Sequence, residues 1–199
     1  MRILIVGATG TIGAPLVAAL ARHDLILASH RRAPEQVDIS DPNSIHALYR
    51  RIGRVDAVVS AAGDAKFAPL QQLTDDDFVF SLRNKLMGQV NLVRFGIDSV
   101  SDGGSFTLTS GVLAQQPMKG SAAISLVNAG IEGFVRAAAL ELPRRQRVNV
   151  VSPPWVSETL TAMGQDPAGG LPAADVARAY VRSIEGSETG SVISPDRVR

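Results

Sequence analysis

The chain has 199 residues, 45% of them hydrophobic and 20% charged, with a formal net charge of +1. That length fits a single domain, spanning 1–199, whose core needs no covalent staples. The near-zero charge gives no electrostatic reason to expect nucleic acid or an anionic membrane as partner.

There is no cysteine, which excludes disulfides, thiolate metal sites and thiol nucleophiles and fits a cytoplasmic protein. The chain opens directly on a strand, without the charged segment and apolar stretch of a signal peptide. No apolar run approaches membrane-spanning length, so no membrane partner is expected. His23, His30 and His46 are not linked by any metal-ligand spacing, and no metal is expected.

The first turn organises the rest. Ile3 to Val6 reads as a buried strand, and Gly7-Ala8-Thr9-Gly10-Thr11-Ile12-Gly13 follows at once. Ala14 to Arg22 then carries a helical apolar pattern. Strand, glycine loop and helix N-terminus make a phosphate site, because backbone N–H groups point outward and glycine removes the Cβ from the approach. Gly7, Gly10 and Gly13, with Thr9, Thr11 and Ile12 between them, are therefore candidate cofactor contacts.

Asp24 to Ala28 is a second short strand, ending at Ser29-His30-Arg31-Arg32. In a dinucleotide fold this strand end meets the adenosine ribose, where a carboxylate selects the 2′-hydroxyl and arginine or serine accommodates a 2′-phosphate. With Ser29, Arg31 and Arg32 and no carboxylate, NADP(H) is expected over NAD(H).

Val37 to Ile39 reads as a very short third strand. Asp41 N-caps a helix with Pro42 in its first position, running to about Ile52. Val55 to Ser60 is a strand whose end, Ala61-Ala62-Gly63, is small enough for backbone to pass close to a ligand. Lys66 to Leu73 reads as loop. Thr74 caps a helix with Asp75, Asp76 and Asp77 in its first turn, continuing to about Ser99. After a polar turn at 101–104, Ser105 to Thr109 alternates like a strand. A small-residue-rich helix runs from about Ser121 to Leu142. Val148 to Val151 is a strand ended by Pro153-Pro154, Thr159 to Gly170 reads as irregular, Pro172 to Ile184 is a helix and Ser191 to Ser194 a strand. The alternation implies an α/β fold: a doubly wound parallel sheet of Rossmann type with helices on both faces. Its ligand binds beyond the carboxyl ends of the strands.

Taken in order, these motifs resemble the short-chain dehydrogenase/reductase family along nearly the whole chain. Gly7, Gly10 and Gly13 resemble its glycine loop, and Asp38-Ile39 the acid and apolar pair that hold the adenine. Ser60-Ala61-Ala62-Gly63 resembles its Asn-Asn-Ala-Gly strand end. Arg147 to Pro153 resembles the segment before the nicotinamide contact, which places Pro153, Trp155 and Val156 beside that ring. The resemblance implies a small-molecule carbonyl or alcohol substrate and a homo-oligomer, dimer or tetramer, paired through its central helices. Ala122, Ala123, Ala129, Gly130 and Gly133 are the small residues that would allow close helix approach.

The family's catalytic residues do not carry over. Ungapped alignment of 104–110 puts its serine at Gly111, its tyrosine at Ile124, its lysine at Asn128 and its asparagine at Lys85. The standard proton relay is absent. Lysine and asparagine have exchanged places, which makes Lys85, with Asn128 as its hydrogen-bond partner, a candidate donor to cofactor or substrate. Ser110 and Thr109 end the strand, and either hydroxyl is a candidate for orienting a carbonyl. Tyr49 and Tyr180 lie on helices away from the cleft. Pro154 replaces the glycine that follows Pro153, and the short stretch after Leu160 suggests an open pocket. Three readings stay open: an NADP(H)-dependent oxidoreductase with non-standard chemistry, an NADPH-binding sensor or regulatory protein, and a fold kept for assembly alone.

Overall fold

A computed structural model describes residues 1–195; the last four, and with them the end of the expected domain, lie outside the described residues. Seven strands form one sheet: β1 (Arg2–Val6), β2 (Asp24–Ser29), β3 (Glu35–Gln36), β4 (Val55–Ser60), β5 (Val100–Thr109), β6 (Arg147–Val151) and β7 (Val192–Ile193). Their order is β3-β2-β1-β4-β5-β6-β7, and every pairing is parallel. The chain therefore winds outward from β1 in both directions and leaves a crevice between the carboxyl ends of β1 and β4, where the strand order reverses.

Helices cover both faces. On one side α2 (Pro42–Ile52), α4 (Gly88–Gly96) and α5 (Ala122–Glu141) close over a core that includes Leu4, Ile45, Leu92, Phe106, Ile131 and Val148, and α3 (Asp75–Ser81) packs against α5. On the other, α1 (Gly13–Ala19) and α7 (Ala173–Glu185) pack over Ile3, Ile5, Leu16, Val59, Val176 and Tyr180. The β-strand cores are apolar on both faces, as a parallel sheet covered by helices requires.

Local chemistry sets the helix starts. The Asp41 carboxylate accepts from the Asn43 N–H at 2.9 Å with Pro42 in the first position. Thr74 and Asp77 form a reciprocal capping box, a device worth about 1 kcal/mol.

Three elements differ from expectation. The third strand is Glu35–Gln36 rather than Val37 to Ile39, because Asp38 turns the chain by accepting from the Ser40 N–H and hydroxyl at 2.9 and 2.7 Å. The expected turn at 101–104 is absorbed into a longer β5 whose register against β4 shifts between Val55 and Ala57. The stretch read as irregular contains a short helix, α6 (Ser157–Ala162), anchored where the Glu158 carboxylate accepts from the Ala173 N–H at 3.0 Å.

The expectation that no segment reaches membrane-spanning character also needs correction. By length and composition alone, α5 is long and apolar enough to cross a membrane, with a mean hydropathy of 1.3. Its alanines, with the isoleucine, leucine and valine residues, raise that mean, and Asn128, Glu132 and Arg136 interrupt the apolar run. In the fold α5 lies against the sheet, with Val127, Ile131 and Val135 in the core and the polar Asn128 and Glu132 buried.

Candidate active site

The crevice at the strand ends holds three adjoining cavities. The outermost, about 490 Å³, is lined by Thr9, Ser29, His30, Arg31 and Arg32. Among the described residues neither arginine has a carboxylate partner, and the Ser29 hydroxyl accepts from the Arg32 N–H at 2.9 Å. The middle cavity, about 440 Å³, is walled by Asp38 and Ile39 together with His30, Phe80 and Asn84. The Ser40 hydroxyl holds the Asp38 carboxyl below the usual carboxylate range. The inner cavity, about 210 Å³, lies beyond Ala61, Ala62 and Gly63, which it shares in part with the middle one.

The glycine loop fits the close approach that its sequence implies. Gly7 has φ +87, and a Cβ there would stand 2.6 Å from the Ala61 carbonyl. A Cβ on Gly13 would stand 2.0 Å from the Gly7 carbonyl. Gly13 is buried and works by letting the loop fold onto itself, whereas Gly10 and Thr11 are exposed at its tip and Ile12 lines the inner cavity.

Four positions of interest meet in the inner cavity: Lys85, Ser110, Gly111 and Asn128, with Ile124 beside them. Lys85 sits in a π-helical turn, Leu82–Met87, between α3 and α4, the kind of helix irregularity often found at functional sites. It is 9% exposed. Burial lowers its pKa to about 8, offset in part by the charge of Asp64. Its ammonium donates to the Ser110 carbonyl at 3.3 Å. From α5, the Asn128 amide donates to the next carbonyl, that of Gly111, at 3.4 Å. Lys85 and Asn128 thus share a wall without the expected hydrogen bond to each other, since each is taken up by a different backbone carbonyl. Among the described residues the buried Oδ1 of Asn128 has no hydrogen-bond partner, an acceptor left open in a ligand-sized cavity. At Gly111 a Cβ would come within 3.0 Å of Asn128 Nδ2, so the glycine makes room for this asparagine.

Opposite, Pro153, Pro154, Trp155 and Val156 complete the cavity. Trp155 is half-buried and also lines a neighbouring groove of about 370 Å³ with Phe67, Met118, Leu160 and Met163. Trp155 thus stands between the inner cavity and this groove.

The two tyrosines take structural positions. Tyr49 donates to the Leu92 carbonyl at 2.6 Å and is buried. Tyr180 is fully buried in the opposite layer, 2.5 Å from the Thr109 hydroxyl, which itself donates to the Ser60 carbonyl. Burial raises the pKa of both phenols.

Several site residues are not evident from the motifs. His30 and Phe80 line the adenosine side. Glu132 lies one helical turn past Asn128, 3% exposed, and accepts from the Ser110 hydroxyl at 3.0 Å and from the Gln115 amide at 3.2 Å. A lone carboxylate on the apolar face of α5, four residues after Asn128, is the signal that points to it.

Comparison with known proteins agrees with this geometry. A family model described as Enoyl-(Acyl carrier protein) reductase matches residues 13–193. The chain is 39% identical to the solved structure of the protein lin1944 from Listeria innocua, with a TM-score of 0.94 and 98% of each chain covered. It is 29% identical to a small-chain dehydrogenase solved in complex with NADPH, at a TM-score of 0.87, covering 98% of this chain and 96% of that one. Among curated relatives it is 34% identical over 119 residues to Hydroxynaphthalene reductase arp2 of Aspergillus fumigatus, 58% of this chain and 43% of that protein. It is also 30% identical over 122 residues to the human 3-oxoacyl-(acyl-carrier-protein) reductase, 60% of this chain and 52% of that one. The chain spans about half the length of these curated relatives. Fold and cleft define a dinucleotide-binding Rossmann protein. The chain belongs to the short-chain dehydrogenase/reductase family of oxidoreductases.

Proposed function

We propose that this protein is an NADP(H)-dependent oxidoreductase that interconverts a carbonyl and an alcohol at a site without the family's usual tyrosine. The observation that carries the reading is the inner cavity, where a buried lysine, a serine and a buried orphan acceptor meet at the strand ends beside the glycine loop. Arg31 and Arg32, free of carboxylates among the described residues, supply the charge for a 2′-phosphate; the solved NADPH complex of a relative supports the same choice.

In this reading Gly7, Thr9, Gly10 and Thr11 hold the pyrophosphate, and Asp38 and Ile39 the adenine. Pro153, Trp155 and Val156 flank the nicotinamide, which supplies or accepts the hydride when bound. Asn128 Oδ1 accepts from a ribose or substrate hydroxyl. Ser110 touches the substrate oxygen, and the Lys85 ammonium stabilises negative charge developing there. Ile124 contributes no acid. The substrate is a small molecule whose apolar part lies toward Trp155 and the adjoining groove.

The protein pairs with a second copy through α5. Leu126 and Leu140 are exposed on it, and Ala129 and Gly133 lie beside them on its exposed face. Ala123 by contrast is spent inside the subunit, and Gly130 packs against Leu86.

The test is NADPH consumption against a panel of aldehydes and ketones. Substrate-dependent oxidation, reduced at least tenfold or so by Lys85→Met and Ser110→Ala, is expected. Tight NADPH binding without consumption of any substrate would replace this reading with that of an NADPH sensor.

A further inference from the structure

Lys85 and Glu132 are the only charged side chains among the described residues that are buried as deeply as the core. They come from different elements and converge on one residue. Lys85 donates to the Ser110 carbonyl at 3.3 Å, and Glu132 accepts from the Ser110 hydroxyl at 3.0 Å. Burying two charges costs several kcal/mol or so in desolvation, and stability alone would be served as well by two apolar side chains of similar volume. Such an arrangement marks a site where chemistry sets the residue types.

The Glu132 carboxylate also has a way out. Its other oxygen accepts from the Gln115 amide at 3.2 Å, and Gln115 is exposed. Ser110, which lines the cavity, Glu132 and Gln115 therefore form a chain of hydrogen bonds that leads from the cavity wall to an exposed residue. A serine hydroxyl alone is a poor proton donor at neutral pH; a carboxylate hydrogen-bonded behind it changes what it can do.

We propose that Ser110 and Glu132 form the proton relay of this protein, in place of the missing tyrosine and lysine. The proposal rests on the oxidoreductase reading. In the oxidative direction the alcohol O–H breaks and its proton passes to Ser110 Oγ, while the serine's own proton moves to Glu132 Oε1. The C–H bond breaks at the same carbon, its hydride passes to the oxidised nicotinamide, and the C–O bond becomes a carbonyl. Glu132, now a neutral acid, releases the proton to water on the Gln115 side. In reduction each transfer runs backward. Glu132 does not touch the substrate; it acts through Ser110.

Glu132→Gln keeps an acceptor for the serine and the volume of the side chain but cannot take the proton. The expected result is a fall in kcat of at least about tenfold, with KM and the NADPH dissociation constant within about twofold of wild type. Ser110→Ala should fall comparably, and the double variant no lower than the single ones, because the two residues act as one unit. A check independent of turnover is the ¹³C signal of the Glu132 side-chain carboxyl, assigned by its loss in Glu132→Gln. It should move in Ser110→Ala without cofactor present. Unchanged kcat in Glu132→Gln, or a carboxyl signal indifferent to Ser110→Ala, overturns the relay and leaves the oxidoreductase reading intact. Wild-type protein that binds NADPH and turns over nothing overturns both.

Discussion

Lys85 and Glu132 meet at Ser110, one on its carbonyl and the other on its hydroxyl, although they belong to different helical segments on opposite sides of β5 in the chain. Ile124 and Asn128 line the same cavity without a charge, and the buried charged groups around it come from the π-helical turn and from α5.

Lys85 carries a pH signature. Its folded pKa of about 8 lies below the ordinary 10.5, so the unfolded state binds its proton more tightly. The charged lysine costs stability below about pH 8, and that cost disappears as pH rises toward 10.5. Relative to Lys85→Met, wild type should gain on the order of 3 kcal/mol across this window, read from denaturant unfolding at each pH. The same ammonium should give carbonyl reduction a falling limb above about pH 8 that Lys85→Met lacks.

Gly13 is a packing residue of the loop. Gly13→Ala should lose about 2 kcal/mol or more, since its Cβ meets the Gly7 carbonyl at 2.0 Å and backbone must shift. Gly133→Ala has nothing within 4 Å inside the subunit, so it should gain about 0.5–1 kcal/mol of subunit stability while weakening the proposed pairing through α5. Chemical denaturation of the two variants reads the contrast.

Tyr180→Phe tests whether a buried phenol substitutes for the lost acid. Tyr180 touches Thr109 from the far side of the sheet, and Thr109 keeps its bond to the Ser60 carbonyl when the phenol is gone. The expected cost is about 1 kcal/mol of stability with turnover unchanged. A loss of turnover greater than tenfold at unchanged NADPH binding would show that the phenol takes part.

The glycine spacing, the strand-end motifs and the capping residues made the fold readable, because each reports a local requirement: φ above zero, close approach, an orphan N–H. The positions of Lys85 and Asn128 in one cavity were readable from their exchange of residue types. Their actual partners were not, since these depend on how the π-helical turn at 82–87 and α5 approach the 110–111 backbone, a tertiary relation with no sequence period. Glu132 is signalled in the sequence as a lone carboxylate on an apolar helix face, but only the fold reveals the serine in front of it. The third strand was misplaced because Asp38 reads equally as the end of a strand and as the residue that closes a turn.

The most direct test of the central claim is titration of purified protein with NADPH and NADH, alongside Arg31→Ala and Arg32→Ala. NADPH should bind more tightly than NADH, and each substitution should weaken NADPH about tenfold, or ~1.4 kcal/mol, while leaving NADH unchanged. Failure of both nucleotides to bind would contradict the dinucleotide cleft and leave the fold serving assembly alone.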